Sequence, residues 1–296
     1  MFFSVVIPTY NNALLLKRAL KSLQSQTYSN YEVVIIDNYS NDDTEKVIRS
    51  FSFKNIIYKK INNGGIIAKS RNAGIKISNG DWILFLDSDD TFYPDKIKFL
   101  SENINSAYDL VCNAQKIVTE SNDNIKIWKY GPYEKNFYKK MLIDGNKFST
   151  SASAVSKFFL KENNIHFNER KDFVTAEDYD FFLNLVNANA RVKFFNNVLG
   201  GHYNHKDSQS SNYKLHKSSI VNVIKYHIFS VQQFNLNHEQ LWKSLKWRFL
   251  LMDFLEELKK KNITASIKIL IRIFFKSPLQ LSKFFLLKLK KKYTIS

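Results

Sequence analysis

Blocks rich in apolar residues alternate with polar loops along the amino-terminal third of the chain. Runs at 3–7, 32–36, 56–58 and 82–86 have the composition of strands, and the run at 82–86 is apolar throughout. Such a run suits a strand inside a parallel sheet, where both faces are covered. Between the runs, apolar residues recur at helical spacing, as Leu16, Leu20 and Leu23 do. The repeated order of strand, loop and helix predicts an α/β fold with a mostly parallel, Rossmann-like sheet and flanking helices.

Proline and asparagine mark the predicted ends of the first elements. We expect Pro8 to end the first strand, because proline lacks the amide proton that a central strand needs. Asn11 or Asn12 is expected to cap the first helix. Further helices are predicted at 44–51, around Lys69 and Arg71, and at 94–101.

The regular alternation weakens after residue 90. Residues 119–150 have no clear periodicity and are left without a predicted element. The remaining predictions are strands at 109–113 and 192–195, a strand or turn entering a helix within 151–163, and a helix at 181–186. From Tyr213 the pattern is helical to the end, with a break at Pro278, which predicts a helical extension.

An acidic loop follows the most apolar strand. Asp87, Asp89 and Asp90 lie within four positions directly after residues 82–86. Open α/β sheets bind ligands beyond the carboxyl ends of their strands, and clustered carboxylates are unfavourable unless a cation offsets their charge. We therefore expect a divalent cation here. The alternative is that Asp90 or Thr91 caps the helix beginning near Pro94 while the other acids are solvated.

The loops after the other parallel strands carry polar groups that suit a nucleotide. Asp37 ends the second strand and can accept a hydrogen bond from a base imide or a ribose hydroxyl. The backbone around Thr9 and Tyr10 can pack against the base. Either Lys69 or Arg71 can reach a diphosphate or the base, although each is equally well explained as a solvated surface charge.

Two later groups of residues also suggest chemistry. Glu177 and Asp178 lie about ninety residues beyond the acidic loop, where one carboxylate can act as a general base. Their alternative explanation is a capping box formed by Thr175 with Asp178. His202 and His205 form the other group, and one histidine can complete a Mg²⁺ or Mn²⁺ site that already contains an aspartate. A loop histidine is otherwise an ordinary surface residue.

Composition limits the classes of protein to which the chain can belong. Its 296 residues are 44% hydrophobic, which supports a substantial core. The single cysteine, Cys112, excludes a disulfide framework and a cysteine metal cluster and fits a reducing compartment. No basic leader with a long apolar core and no uninterrupted run of 18 apolar residues is visible in the sequence, so we expect neither secretion nor a membrane span.

The positive charge is concentrated in the carboxyl-terminal tail. The net charge is +17, and the tail 259–296 supplies eleven Lys or Arg residues and no acid. Apolar residues recur in it at helical spacing, with Lys268, Arg272 and Lys276 between them. Basic amphipathic helices of this kind bind anionic membrane surfaces. The alternative is a helix pair that packs on the rest of the protein or on another subunit.

Taken together, these motifs resemble those of the inverting glycosyltransferases of family 2, which have the GT-A fold. The resemblance covers residues 1 to about 210. The segments that carry it are 5–11, 32–40, 69–74 and 86–90, and 167–169 leading into Glu177 and Asp178.

The resemblance implies roles for individual residues. Asp37 would contact the uracil or its ribose. Asp87 would hold the ribose or the sugar, Asp89 would coordinate Mn²⁺ or Mg²⁺, and Asp178, with Glu177 beside it, would be the catalytic base. The residues completing the implied donor and metal sites are Pro8, Thr9 and Tyr10 at the base, Lys69, Arg71 and Ser88 at the donor, and His205 at the metal or diphosphate.

The resemblance also implies a reaction. A single sugar, hexose or N-acetylhexosamine, would pass with inversion from a UDP-sugar to a hydroxyl of a surface-glycan acceptor. A polyprenyl diphosphate would carry that acceptor. Processive synthases of this fold carry a Gln-x-x-Arg-Trp motif, and the segment 240–244 does not match it. We expect a cytoplasmic protein that is peripheral at the inner face of the plasma membrane.

A nucleic-acid-binding protein is the competing interpretation, since the tail is basic and 15% of residues are aromatic. The acidic loop argues against it, because its carboxylates would repel phosphates, and we predict no nucleic-acid partner.

The predicted domains are a catalytic domain at 1–212, with a nucleotide-sugar half at 1–113 and an acceptor half at 114–212, and a basic helical region at 213–296.

Overall fold

The computed structural model describes residues 1–119, 126–203, 211–232 and 237–276. The chain divides into two compact units, with the boundary between Ser211 and Asn212. Strands and helices build the first unit, and the described part of the second unit is helical.

A nine-stranded sheet forms the centre of the first unit, counted over the described residues. Its strands are β1 (Phe3–Thr9), β2 (Tyr31–Asp37), β3 (Ile56–Lys60), β4 (Trp82–Phe85), β5 (Thr91–Phe92), β6 (Leu110–Val118), β7 (Lys126–Trp128), β8 (Ser153–Ser156) and β9 (Val192–Tyr203). Their order is β3-β2-β1-β4-β8-β6-β9-β5, and β7 pairs with β6 outside this path.

The direction of the strands changes across the sheet. Strands β1 to β4 are mutually parallel, as the sequence predicts. Beyond them β8 is antiparallel to both β4 and β6, whereas β6 and β9 are parallel. The four parallel strands thus end at one edge, and β8 and β6 extend the sheet beside them.

Seven helices of the first unit accompany the sheet in the described residues. They are α1 (Ala13–Gln24), α2 (Thr44–Arg49), α3 (Ile67–Ile77), α4 (Lys96–Asn103), α5 (Phe137–Asp144), α6 (Lys157–Glu162) and α7 (Glu177–Asn187). The apolar stripe of α1 packs on the sheet, and Leu16, Leu20 and Leu23 are fully buried. Burial of such a side chain contributes about 1.5–3 kcal/mol. The predicted α/β architecture is therefore confirmed.

Pro8 does not end the first strand, contrary to the prediction. β1 continues to Thr9, and Pro8 is paired with Ile36 of β2. The carbonyl of Val6 accepts a hydrogen bond from the amide of Leu86, which follows β4. Residues two apart in a strand direct their backbone groups to the same side, so the nitrogen of Pro8 also faces β4. Since β4 ends at Phe85, the missing amide proton of Pro8 costs no ladder hydrogen bond.

Aromatic packing organises the segment for which no element was predicted. The helix α5 begins at Phe137, whose ring meets those of Phe148 and Phe194. Phe148 in turn stacks on Phe182 of α7, with ring centroids 4.6 Å apart. These contacts join residues far apart in sequence, so a local period does not reveal them.

The second unit is helical in its described part. It contains α8 (Tyr213–Tyr226), a π-helical turn (His227–Val231), α9 (His238–Lys259) and α10 (Ile263–Lys276). Asp253 of α9 accepts from both Tyr213 and Lys217 of α8. Pro278 and the rest of the tail lie outside the described residues. In the described part of the chain, no helix is both long and apolar enough to span a bilayer.

Candidate functional site

The carboxyl ends of three adjacent parallel strands bring the predicted donor residues to one edge of the sheet. Thr9 ends β1, Asp37 ends β2, and Asp87 follows β4 by one intervening residue. Thr9 and Asp37 are register partners. This edge is where open α/β sheets place their ligands.

Asp37 is fully buried and held from two directions. One carboxylate oxygen accepts from the amide and the hydroxyl of Ser40, at 2.9 and 2.6 Å. The other accepts from the Tyr58 hydroxyl at 2.8 Å, and burial together with this contact raises the pKa of Tyr58. The carboxylate is therefore fixed in orientation before a ligand arrives.

The predicted base pocket has two buried members, Pro8 and Thr9, and one exposed member, Tyr10. The Thr9 hydroxyl oxygen is buried and has no hydrogen-bond partner among the described residues, whereas Tyr10 is 57% exposed. An unsatisfied hydroxyl beside an accessible aromatic ring suits a polar, planar ligand. Ser88 is also predicted to contact the nucleotide-sugar. Its hydroxyl accepts a hydrogen bond from the Asn12 side chain at 3.0 Å.

Arg71 joins the donor loop to the second predicted motif. Its guanidinium donates to Asp87 and to Glu177, each at 2.7 Å, although the two acids are ninety residues apart. Arg71 is buried, and burial disfavours its charge, but the two carboxylates outweigh that effect and raise its pKa. Removing one member of this buried set would leave another charge without its partner.

Asp87 is anchored on its other side by a short turn at Thr150–Ala152. The Thr150 hydroxyl donates to the second Asp87 oxygen at 2.8 Å, and the Asp87 amide donates to the Ser151 hydroxyl at 3.0 Å. Burial opposes ionisation of Asp87. Arg71 and Thr150 more than offset burial and hold the pKa of Asp87 below its ordinary value.

Asp178 lies in the first turn of α7, beside Glu177. Its carboxylate accepts from the Asn146 side chain at 3.0 Å. Burial and the neighbouring Glu177 charge raise the pKa of Asp178 to about 7, and Arg71 only partly counters them. A carboxyl group that titrates near neutrality suits a general base.

The capping-box explanation of this motif is not observed. Ala176, not Thr175, precedes the first residue of α7, and it makes no side-chain cap. Thr175 has φ +78°, which is a rare conformation for a β-branched residue. Strain of this kind is typical of functional sites, where surrounding contacts enforce it.

Asp90 attaches the acidic loop to the end of β9. It is buried, accepts from the Tyr203 amide at 3.0 Å and lies 3.2 Å from Nδ1 of His202. Burial opposes protonation of His202, but the contact with Asp90 and the charges of Asp89 and Asp87 raise the pKa of the imidazole. The alternative role of Asp90 or Thr91 as a helix cap is wrong, because α4 begins at Lys96, after Asp95.

Arg18 holds the backbone of the acidic loop. Its guanidinium donates to the Asp89 carbonyl and lies 3.4 Å from the centroid of the Tyr203 ring. His202, next to Tyr203, stacks on Trp128 with ring centroids 5.5 Å apart. The end of β9 thus fixes the loop that carries the predicted metal ligand.

The residues present fit a metal that is shared with a substrate. Among the described residues, no three His, Cys, Asp or Glu side chains are grouped to hold a metal ion. Mg²⁺ commonly takes only one or two carboxylates and completes its shell with substrate phosphates and water. Asp89 can supply one such ligand, and His205 lies outside the described residues.

The structure gathers most of the predicted site, and it adds residues that the sequence pattern did not reveal. Arg71, Asp87, Glu177 and Asp178 form one connected cluster. The side chain of Lys69 has no hydrogen-bond or ion-pair partner within the described residues and is partly exposed. The residues that were not predicted are Arg18, Asn146, Thr150 and Ser151, all polar side chains that belong to none of the motifs recognised in the sequence.

Similar solved structures share the architecture. The crystal structure of Staphylococcus aureus TarS 1-349 in complex with UDP-GlcNAc matches with a TM-score of 0.61 and 22% identity over 93% of this chain and 81% of that one. Mannosyltransferase PcManGT from Pyrobaculum calidifontis, in complex with GDP-Man and Mn2+, matches with a TM-score of 0.58 and 15% identity over 94% and 87%. The GT-A fold with carboxyl-terminal helices is thereby confirmed.

Several bacterial proteins are similar in sequence. An uncharacterized glycosyltransferase of Haemophilus influenzae is 43% identical over 95 residues, 31% of each chain. The GalNAc(5)-diNAcBac-PP-undecaprenol beta-1,3-glucosyltransferase of Campylobacter jejuni is 30% identical over 52% of this chain and 48% of its own. The putative colanic acid biosynthesis glycosyl transferase WcaA of Escherichia coli is 26% identical over 82% and 91%.

The chain thus spans a third to a half of the first two of these relatives. A family model described as glycosyl transferase family 2 matches residues 4–163, which include β1 to β8. The match covers more than half of the sequence and contains the Asp37 and Asp87 loops. The chain belongs to glycosyl transferase family 2.

Proposed function

We propose that this chain transfers one sugar from a nucleotide-sugar to a hydroxyl group of a glycan acceptor. The single observation that carries the proposal is the Arg71 bridge between Asp87 and Glu177. It ties the loop expected to hold the donor to the helix expected to supply the base. A UDP-hexose or UDP-N-acetylhexosamine is the proposed donor, and two proteins of this fold are in complex with the nucleotide-sugars UDP-GlcNAc and GDP-Man.

The donor site is proposed to lie at the ends of β1, β2 and β4, within the nucleotide-sugar half at 1–113. Asp37 has a fixed orientation that suits recognition of the uracil or its ribose. Asp87 accepts from Arg71 and Thr150, so its ionised form is ready to accept from a sugar or ribose hydroxyl. Pro8, Thr9, Tyr10, Lys69 and Ser88 are proposed to complete the donor contacts.

Asp178 is proposed as the catalytic base. It takes the proton of the acceptor hydroxyl, whose oxygen forms a bond to the anomeric carbon as the bond to the nucleoside diphosphate breaks. One displacement from the opposite face inverts the anomeric configuration, and no covalent enzyme intermediate forms. Glu177 keeps α7 attached to Arg71 during this step.

Asp89 and His205 are proposed to hold a Mn²⁺ or Mg²⁺ ion together with the diphosphate of the donor. When bound, such an ion supplies positive charge to the leaving diphosphate. Arg18 contributes by fixing the backbone of Asp89, so that its carboxylate is presented in a constant position.

The acceptor is proposed to be a growing surface glycan, carried on a polyprenyl diphosphate at the inner face of the plasma membrane. The names of two relatives support this, since one acts on a PP-undecaprenol substrate and the other is assigned to colanic acid biosynthesis. The segment 114–212 is the proposed acceptor half. We also propose that one sugar is transferred each time the acceptor binds, rather than many in a processive synthesis.

A panel of nucleotide-sugars with Mn²⁺ or Mg²⁺, followed by release of nucleoside diphosphate, tests this function. Asp89→Ala should abolish metal-dependent turnover of the donor. Asp178→Asn should still bind UDP, measured by calorimetry, but should lose transfer by at least about a hundredfold. Transfer at the wild-type rate in Asp178→Asn would refute the assignment of the base.

A further inference from the structure

The helix α10 has apolar side chains on two separate faces. One face packs inside the second unit, where Ile273 is fully buried and joins Leu251 and Phe254 of α9 in a small core, with Leu270 beside it. A helix of a soluble bundle normally has a single apolar stripe facing its core. The packing on α9 therefore accounts for only part of the apolar character of α10.

The second apolar face is exposed. Its members share one side of the helix and are each at least half exposed: Ile263, Ile267, Ile271, Phe274 and Phe275. At about 100° per residue, they span an arc of about 120° that excludes Ile273. We call these five side chains the outer stripe. A contiguous patch of large apolar side chains in water marks an interaction surface.

Cationic side chains border the outer stripe along one edge. Lys268 and Arg272 are exposed, and they follow Phe275 around the helix at about 20° and 60°. No Asp or Glu occurs from Lys259 to the end of the sequence. The nearest acids along the chain, Glu256 and Glu257 on α9, are paired with Lys260. The surface thus combines apolar contact area with positive charge.

We propose that the outer stripe is a docking surface for an anionic lipid bilayer, with α10 lying flat at the boundary between headgroups and acyl chains. The isoleucine and phenylalanine side chains enter the acyl region, and Lys268 and Arg272 meet lipid phosphates. A second copy of the chain fits less well, because a two-fold contact through this stripe would bring the same cations of both copies together. The inference is independent of the transferase proposal.

Vesicle flotation of the full chain tests the docking surface. The vesicles are phosphatidylethanolamine with phosphatidylglycerol, and phosphatidylcholine vesicles serve as the uncharged comparison. A triple variant, Ile267→Ser, Ile271→Ser and Phe275→Ser, should bind the anionic vesicles at least tenfold more weakly than the wild type. A double variant, Lys268→Gln and Arg272→Gln, should lose most of the preference for anionic over uncharged vesicles.

The matched control removes three other exposed apolar side chains from elsewhere in the same unit. Leu215, Phe229 and Leu258 are each about 40% exposed and lie on other helices. Their triple serine variant should float like the wild type. Equal binding by the outer-stripe variant and the wild type would overturn the proposal.

The oligomeric state tests whether a second copy of the chain, rather than a bilayer, covers the outer stripe. Sedimentation should give the same mass for the wild type and the outer-stripe variant in the absence of vesicles. A wild-type dimer that the triple variant converts to monomer would overturn the lipid proposal in favour of a second copy. Release of nucleoside diphosphate, measured in the same samples without vesicles, reports separately on the transferase proposal.

Discussion

Glu177 and Asp178 are neighbouring carboxylates with different surroundings. Glu177 is paired with Arg71 at 2.7 Å, whereas Asp178 accepts a neutral amide hydrogen bond from Asn146. Burial and the Glu177 charge raise the pKa of Asp178 to about 7. A carboxyl group whose pKa is raised to near neutrality suits proton transfer, whereas a carboxylate held in an ion pair suits a supporting role. This difference supports our proposal that Asp178 takes the proton and that Glu177 has a supporting role.

The rate of transfer should therefore depend on pH through Asp178. The base must be ionised, so kcat/KM should fall about tenfold per pH unit below pH 7 and level off above it. Glu177→Gln removes a charge that raises the pKa of Asp178, yet it keeps an oxygen that can accept from Arg71. We expect the acid limb of the pH profile to move down by roughly one unit in this variant.

Glu102→Gln provides the control for this shift, because it makes the same chemical change at an exposed position on α4. Its acid limb should coincide with that of the wild type. An unmoved limb in Glu177→Gln would contradict the proposed influence of Glu177 on Asp178.

Lys96 is a buried lysine that the proposed reaction does not use. Its ammonium donates to the Ser151 carbonyl at 2.6 Å and lies 3.8 Å from the centroid of the Phe92 ring. Burial lowers the pKa of Lys96 to about 7 from its ordinary 10.5, although Cys112 and Asp90 counter the shift. Between these two pH values the unfolded chain therefore binds more protons at this position than the folded chain does.

The sign of this difference predicts that stability rises with pH. Between about pH 7 and 10, Lys96 should contribute a gain in unfolding free energy of up to about 1.4 kcal/mol per pH unit, since folding releases its proton. Urea unfolding at several pH values measures the slope. Lys96→Met lacks the titrating group and should show a smaller slope, and equal slopes would contradict the lowered pKa.

At the scale of elements, Gly74 allows α3 to lie close to the sheet. A Cβ atom at position 74 would collide with a methyl group of Val6 on β1, and it would lie 3.4 Å from Ile36 on β2. The Val6 side chain is β-branched and buried, so it has little freedom to turn away. Because α3 also carries Arg71, its distance from the sheet affects the position of the ion-pair cluster.

We expect Gly74→Ala to lower the unfolding free energy by about 1–3 kcal/mol, despite the better helix propensity of alanine. The added methyl group should also push α3 away from the sheet and displace Arg71, which should weaken UDP binding. Chemical unfolding and calorimetry measure the two effects. Lys76→Ala, at an exposed position on the same helix, should change neither quantity, and a stable Gly74→Ala variant would show that α3 can shift without cost.

The local sequence pattern predicted the strands whose residues are buried along nearly their whole length. The runs that became β1, β2 and β4 are apolar because both faces of these strands are covered, and Asp37 and Asp87 follow from their positions at the strand ends. The strand β9 is longer than predicted, because it continues through the exposed polar residues Asn196 and Asn197. These two residues lie at a bulge, and the pairing with β6 resumes beyond them at Val198. A local pattern cannot specify that pairing.

The same reasoning explains which site residues the sequence did not reveal. Thr150 and Ser151 contact Asp87 from more than sixty positions away, and Asn146 reaches Asp178 from another segment. Asn146 and Thr150 lie in the part of the chain without a clear period, and Ser151 follows it directly. Their importance comes from tertiary contacts with charged groups, and serine, threonine and asparagine are common in ordinary loops.

At the scale of the whole molecule, the chain has two compact units that differ in composition. One core cluster of buried residues lies within residues 3–154, and the last described helix forms a small core with α9. The predicted boundary at 212 lies one residue from the observed division after Ser211. A catalytic domain and a basic helical region remain our interpretation of these units.

This division predicts that a fragment ending at Ser211 folds by itself. The contacts of Asp37, Asp87 and Asp178 described above all lie within it, so it should bind UDP with an affinity within about threefold of the full chain. It lacks α10 and should not float with anionic vesicles. Calorimetry, thermal unfolding and flotation test the three expectations. A folded fragment that fails to bind UDP would show that residues beyond 211 contribute to the donor site, and the catalytic unit would then have to include them.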